Sequence, residues 1–213
     1  PASGRLRQFR DILVADSTVI RLHELLAKAF PGCRTNHTQA ALKVHLVMCA
    51  AGAGKQSVKV TAERCHDRRA LVLGPWARGK LLLFDLGYFD FRLLRRLDEI
   101  GGHFVSRLKR SSNPVIVAQN RLWRGRSVTV VGERIWNVVD RLRREELDVT
   151  VQVRSRHRVY AGRRSSEVRT FRVVGVRDEA SGEYHLYMTN IDVEALQPAD
   201  IARVAQGTRL VVV

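Results

Sequence analysis

The chain has 213 residues, 45% hydrophobic and 27% charged, the balance of a globular protein with one substantial core and not of a disordered one. Its 37 lysines and arginines against 21 acids leave a formal net charge of +16, an excess that calls for a polyanionic partner, nucleic acid foremost. Cys33, Cys49 and Cys65 form no close pair, which argues against a disulfide framework or a structural zinc site and makes a reduced cytosolic setting the expectation.

No apolar run reaches the roughly 18 to 20 residues that a membrane-spanning helix needs, so no membrane role is expected. The chain opens at Pro1 without methionine or a signal peptide, which reads as a piece of something longer. Residues 1–10 are basic and irregular. The run from Asp11 to Ile20 is then apolar and β-branched, a strand carrying Asp16 among neighbours that make an unpaired carboxylate costly to bury. Asp16 should therefore face a polar crevice, a cation or a hydrogen-bonding neighbour, Ser17 and Thr18 being local candidates. Leu22, Leu25, Leu26 and Ala29 follow at helical spacing and predict a short helix stopped by Pro31-Gly32.

Two further strands are predicted, from Lys43 to Ala50 and from Ser57 to Glu63. The linking stretch Ala51 to Ser57 superficially suggests a phosphate-binding loop. That pattern needs glycine where Cys49 stands and Ser or Thr where Gln56 stands, so a glycine-rich hairpin turn explains the stretch better. His66-Asp67 ends the third strand. Adjacent strand residues point to opposite faces and cannot easily share an ion, so the pair reads as turn and capping residues.

Lys80-Leu81-Leu82-Leu83-Phe84-Asp85-Leu86-Gly87-Tyr88 carries the most information. Its continuous apolar run predicts a fourth strand buried on both faces that delivers Asp85 at its carboxyl end, where open α/β sheets place their chemistry. Gly87 allows a sharp turn; helix capping is the alternative role for Asp85. A helix with Phe91, Leu94, Leu97 and Ile100 on one stripe follows, stopped by Gly101-Gly102, and His103 to Lys109 predicts a fifth strand. The two aspartates come together only if the fourth strand lies beside the first.

From Ser111 the pattern turns β-rich and basic. Val149, Val151 and Val153 alternate with polar residues, and Arg169 to Val176 with Tyr184 to Met188 predicts a hairpin. Arg154, Arg156, Arg158, Arg163 and Arg164 could track a phosphate backbone or form a solvated face. Arg107, Lys109 and Arg110, at the end of the fifth strand, are further candidate DNA contacts. A last helix opens at Pro198.

Asp16 in Ala15-Asp16-Ser17-Thr18, Asp85-Leu86-Gly87-Tyr88, and Tyr187-Met188-Thr189-Asn190 before Ile201-Ala202-Arg203-Val204 together resemble a bacterial insertion-sequence transposase of the DDE class, specifically the insertion-sequence-four family. The resemblance implies an α/β fold with a ribonuclease-H-like mixed sheet in the order β-β-β-β-α-β and a β-rich insertion before the last helix. It divides the chain into a first core part at 1–110, a basic insertion at 111–190 and an incomplete final core helix at 191–213. It further implies two aspartates and a glutamate that hold Mg²⁺ or Mn²⁺ for cleavage and transfer of DNA strands, with Asp16 and Asp85 as two of the three. Transposon ends and target DNA would be the partners, with a homodimer on DNA, in the bacterial cytoplasm at the nucleoid. The family's last helix carries Tyr, Arg, Glu and Lys in fixed spacing. Here the corresponding positions are Ala205, Thr208 and Val212, or, shifted by one, Arg209 and Val213, so the third acid is missing and inactivity of this chain alone is expected. A non-enzymatic basic nucleic-acid-binding module and another ribonuclease-H-like nuclease are the alternative readings.

Overall fold

The computed structural model describes residues 2–33, 39–50, 57–122, 130–156 and 166–207. After a short helix α1 (Ala2–Leu6), three strands run in succession, β1 (Ile12–Leu22), β2 (Ala40–Cys49) and β3 (Ser57–Ala62). Helix α2 (Asp67–Ala70), strand β4 (Leu81–Phe84), helix α3 (Phe91–Glu99) and strand β5 (His103–Arg107) follow. The remainder contributes β6 (Val115–Gln119), α4 (Ile135–Val139), β7 (Glu146–Arg156), β8 (Ser166–Arg177), β9 (Tyr184–Thr189) and α5 (Pro198–Gly207). Among the described residues, nine strands join one mixed sheet in the order β3-β2-β1-β4-β5-β9-β8-β7-β6, an architecture consistent with a ribonuclease-H-like fold.

Among the described residues the parallel pairs are β1 with β4 and β4 with β5. The reason is legible in β4: every residue of Leu81–Phe84 is buried, as a strand covered on both faces requires. Leu82 and Phe84 point to one side, with Leu13, Ala15, Phe104 and the α3 residues Leu94 and Leu97. Leu81 and Leu83 point to the other, with Val14, Val105 and the α5 residues Ile201 and Ala202. Helix α3 starts where the Asp90 carboxylate accepts the Arg92 and Leu93 amide hydrogens. It stops at Gly101, whose φ of 74° is the left-handed conformation glycine adopts without strain. Gly102 lets β5 begin close under α3; a Cβ there would stand 2.4 Å from Leu97 Cδ1 and 3.0 Å from the Ala77 carbonyl oxygen.

The helix predicted around Leu22–Ala29 is absent. Strand β1 continues through Leu22, and only a single 3-10 turn, Glu24–Leu26, follows. The β-branched run through Ile20 keeps pairing with β2 as far as Leu22↔Ala40, and the leucines taken for a helical stripe are exposed at Leu25 and Leu26. The fifth strand ends at Arg107, two residues earlier than predicted. Strand β6 and helix α4 were not predicted. The strands of 111–190 continue the same sheet, because β9 pairs antiparallel with β5 through Val105↔Thr189 and Arg107↔Tyr187.

A buried ion pair ties this half together. Arg172 on β8 donates from Nε to Asp148 Oδ1 at 2.9 Å and from Nη2 to Oδ2 at 2.7 Å, while Nη1 reaches the Asp192 carbonyl at 2.9 Å. Asn120 and Arg121, just past β6, also hold Asp148. Such a bidentate pair offsets its desolvation only while both partners are present. Asp148→Ala is expected to lower unfolding free energy in urea by about 3–5 kcal/mol. Asp140→Ala, which removes the partner of the solvent-exposed Arg110, should cost under about 1 kcal/mol.

Candidate active site

Strands β1 and β4 are parallel neighbours in the register Val14↔Leu83 and Ala15↔Phe84. The next residue on each is an aspartate, Asp16 and Asp85. Alternation along a strand puts both on the face of Val14 and Leu83, the face on which α5 packs. The backbone of Asp85 remains extended, with φ −80° and ψ 173°, so the alternation carries through it. Neighbouring strands lie about 4.8 Å apart, and the two aspartates therefore occupy adjacent positions across one strand gap. Strand β5 extends the row: Phe84 pairs with Ser106, which sets Arg107 beside Asp85 on the same face.

Asp85 holds the N-cap position of the 3-10 turn Leu86–Tyr88, yet its side chain makes no capping hydrogen bond, and it is exposed. Capping does not explain it. Asp16 is half-buried, and its Oδ1 accepts the Ser17 amide hydrogen at 2.7 Å. Tyr88 locks the two strand ends together, donating its buried hydroxyl to the Asp16 carbonyl oxygen at 3.0 Å. Burial foremost, then the charges of Asp67 and Asp16, pushes the Tyr88 hydroxyl far above the usual tyrosine range, against a smaller opposing pull from Ser17. It is thus a fixed donor at neutral pH.

Asp67 sits behind this row, on the opposite face of β1. Its Oδ1 accepts the Ser17 hydroxyl at 3.0 Å and lies 3.2 Å from Lys43 Nζ and 3.6 Å from His45 Nδ1. The capping role read for His66-Asp67 does not hold, since His66 makes no side-chain cap. Ser17 is the local partner expected for Asp16 through its amide, while its hydroxyl goes to a residue fifty positions away. Gly87 is needed for close approach: a Cβ there would stand 2.4 Å from Asp67 Oδ2. Nothing in local spacing signals Asp67, because its partners come from β1, β2 and the turn after β4.

The candidate DNA contacts divide. Arg107 ends β5, and Lys109 and Arg110 follow it at the aspartate end of the sheet, with the Arg110 guanidinium 4.4 Å over the Trp136 ring. Arg154 is exposed on β7 opposite Val168. Arg107 pairs with Tyr187 and Tyr187 with Val174; six residues along β8, Val168 is about 20 Å away toward the other end. Arg156 ends β7, and Arg158, Arg163 and Arg164 lie outside the described residues. So do Thr208, Arg209, Val212 and Val213, while Ala205 is on α5. Among the described residues no three His, Cys, Asp or Glu side chains gather closely enough to hold a metal ion.

Comparison with known proteins adds an independent line. A family model described as a transposase DDE domain matches residues 7–207. The chain is 30% identical over 117 residues to the transposase for insertion sequence element IS231B of Bacillus thuringiensis subsp. berliner, an alignment covering 51% of this chain and 23% of that protein. The transposase for IS231D of Bacillus thuringiensis subsp. finitimus is 29% identical over the same shares. The match thus spans less than a quarter of these curated relatives.

His45 offers a test of the region behind the row. Burial lowers its pKa from 6.5, outweighing the raising effect of Asp67. A folded value below the unfolded one means that its contribution to stability is complete above pH 6.5 or so and is lost as pH falls through the depressed value. Urea midpoints should therefore fall from pH 7 to pH 5, and fall less steeply in His45→Gln.

Proposed function

We propose that this chain, which belongs to the transposase DDE domain family, forms part of the catalytic core of an insertion-sequence transposase, with Asp16 and Asp85 as two of its cation-holding acids. The observation that carries this reading is the pairing of β1 with β4, which sets the two aspartates at adjacent positions on one face. Two carboxylates offer hard oxygen donors of the kind Mg²⁺ or Mn²⁺ takes, with remaining coordination positions left to water and to phosphate. The donor set fits such an ion in part, as two of three acids. A bound divalent cation would offset the charge of a phosphodiester under attack.

The chain's own residues do the positioning. Asp16 and Asp85 present their oxygens toward the α5 side. Tyr88 fixes their spacing by holding the Asp16 carbonyl. Arg107, beside Asp85, would steady an incoming phosphate, and the net charge of +16 would draw DNA at low salt and release it as salt rises. Transposon ends and target DNA are the proposed partners, a homodimer on DNA the proposed assembly, and the bacterial nucleoid the proposed place of action. No helix among the described residues is long and apolar enough to cross a membrane.

The acid expected on the last helix has no counterpart at Val212 or Val213. The chain by itself is therefore expected to neither nick nor join DNA-end substrates with Mg²⁺ or Mn²⁺. A gel assay showing either product would overturn that. One observation also suits a second reading, a non-enzymatic DNA-binding module with structural aspartates: the net charge of +16 is what phosphate binding alone would need. Titration with Mn²⁺ separates the two. The transposase reading expects Asp85→Asn to weaken Mn²⁺ binding by about tenfold, roughly 1.4 kcal/mol; unchanged affinity would mean that the aspartates are structural.

A further inference from the structure

We infer that Asp67 is a positioning residue that holds the two carboxylate-bearing strand ends in their places from the far side of the sheet; its consequence for cation binding rests on the reading above. The carboxylate joins three segments that are distant in sequence. On β1 it accepts the hydroxyl of Ser17, the residue directly after Asp16. On β2 it pairs with Lys43 Nζ at 3.2 Å and lies 3.6 Å from His45 Nδ1. Its other oxygen lies against the backbone of Gly87, two residues after Asp85 and one before Tyr88, closely enough that any side chain at that position would collide with it.

Each of those contacts borders a residue of the proposed site without touching a reacting group. The Ser17 amide donates to the Asp16 carboxylate, so the hydroxyl bond behind it fixes the residue that orients that carboxylate. The Tyr88 amide donates to the Asp85 carbonyl at 3.0 Å, and the Tyr88 hydroxyl reaches the Asp16 carbonyl. Packing Asp67 on Gly87 therefore sets the turn from which both bonds arise. His45 Nδ1 is buried, with no hydrogen-bond partner among the described residues and Asp67 Oδ1 at 3.6 Å. This is what a carboxylate committed to Ser17 and Lys43 leaves behind. Gly87 is then specified by Asp67 and not by backbone conformation, since its φ is not among the positive ones.

The test is amide hydrogen exchange on the full chain, with Mn²⁺ titration of the same samples. In Asp67→Ala, the Ser17 and Tyr88 amides should exchange about tenfold faster, the size expected for losing a hydrogen bond to a charged acceptor, while Leu83, Phe104 and Val149 keep wild-type rates. Asp67→Asn, whose amide oxygen still accepts the Ser17 hydroxyl, should restore most of the protection at Ser17. Gly87→Ala should resemble Asp67→Ala. Adding it to Asp67→Ala should cost little more, because the colliding oxygen is gone and the Asp67 Cβ lies at an ordinary 3.8 Å. Wild-type exchange at Ser17 and Tyr88 in Asp67→Ala, or equally faster exchange at all five amides, would overturn the inference. If the exchange pattern holds but the wild-type chain takes up no Mn²⁺, the cation reading fails and the positioning role stands.

Discussion

Parallel pairing between β4 and β1 sets where the two aspartates of this chain lie. Two buried strands that share the register Ala15↔Phe84 must each leave the core at the same level, and each leaves it on an aspartate. A one-residue slip of either strand would turn its aspartate to the other face, since side chains alternate with period two. The apolar run of β4, buried on both faces by α3 and α5, fixes that register because every residue of Leu81–Phe84 already has its side. The carboxylates are thus held by the core and not by a loop.

Around that pair, the protein spends its polar groups on holding backbone. Tyr88 reaches across to the Asp16 carbonyl, and Asp67 takes Ser17 from behind. Farther across the same sheet, on β8 and β7, Arg172 clasps Asp148 and the carbonyls after β9. Both networks join segments far apart in the chain, and both use buried partners whose loss leaves a charge or a donor stranded. The basic excess lies elsewhere, on exposed positions such as Lys109, Arg110 and Arg154.

Much of this was legible in the sequence, and what was not has a common cause. The β4 strand and its terminal Asp85 could be read because four apolar residues in succession leave few alternatives, and Asp16 because a carboxylate among β-branched residues is conspicuous. The adjacency of the two strands was a condition that the reading required, and topology supplied it. The leucines after Ile20 misled because a four-residue spacing cannot distinguish a helix from an exposed strand end and a single turn. Asp67 was misread as a cap because its partners, Ser17, Lys43 and Gly87, are brought to it only by the folded sheet. The β-rich segment was legible as strands, but not its continuity with the core, which rests on the long-range pair Val105↔Thr189.

The claim at the centre is that Asp16 and Asp85 reach one shared ion. Carbon-13 spectra of the side-chain carboxyls, followed as substoichiometric Mn²⁺ is added, address it most directly, since a paramagnetic ion broadens the carbons nearest to it first. The account predicts that the Asp16 and Asp85 signals fade together at the same concentration while Asp67 fades later and Asp148 persists. Loss of only one of the two, or their fading no earlier than the exposed carboxylates elsewhere, would contradict it.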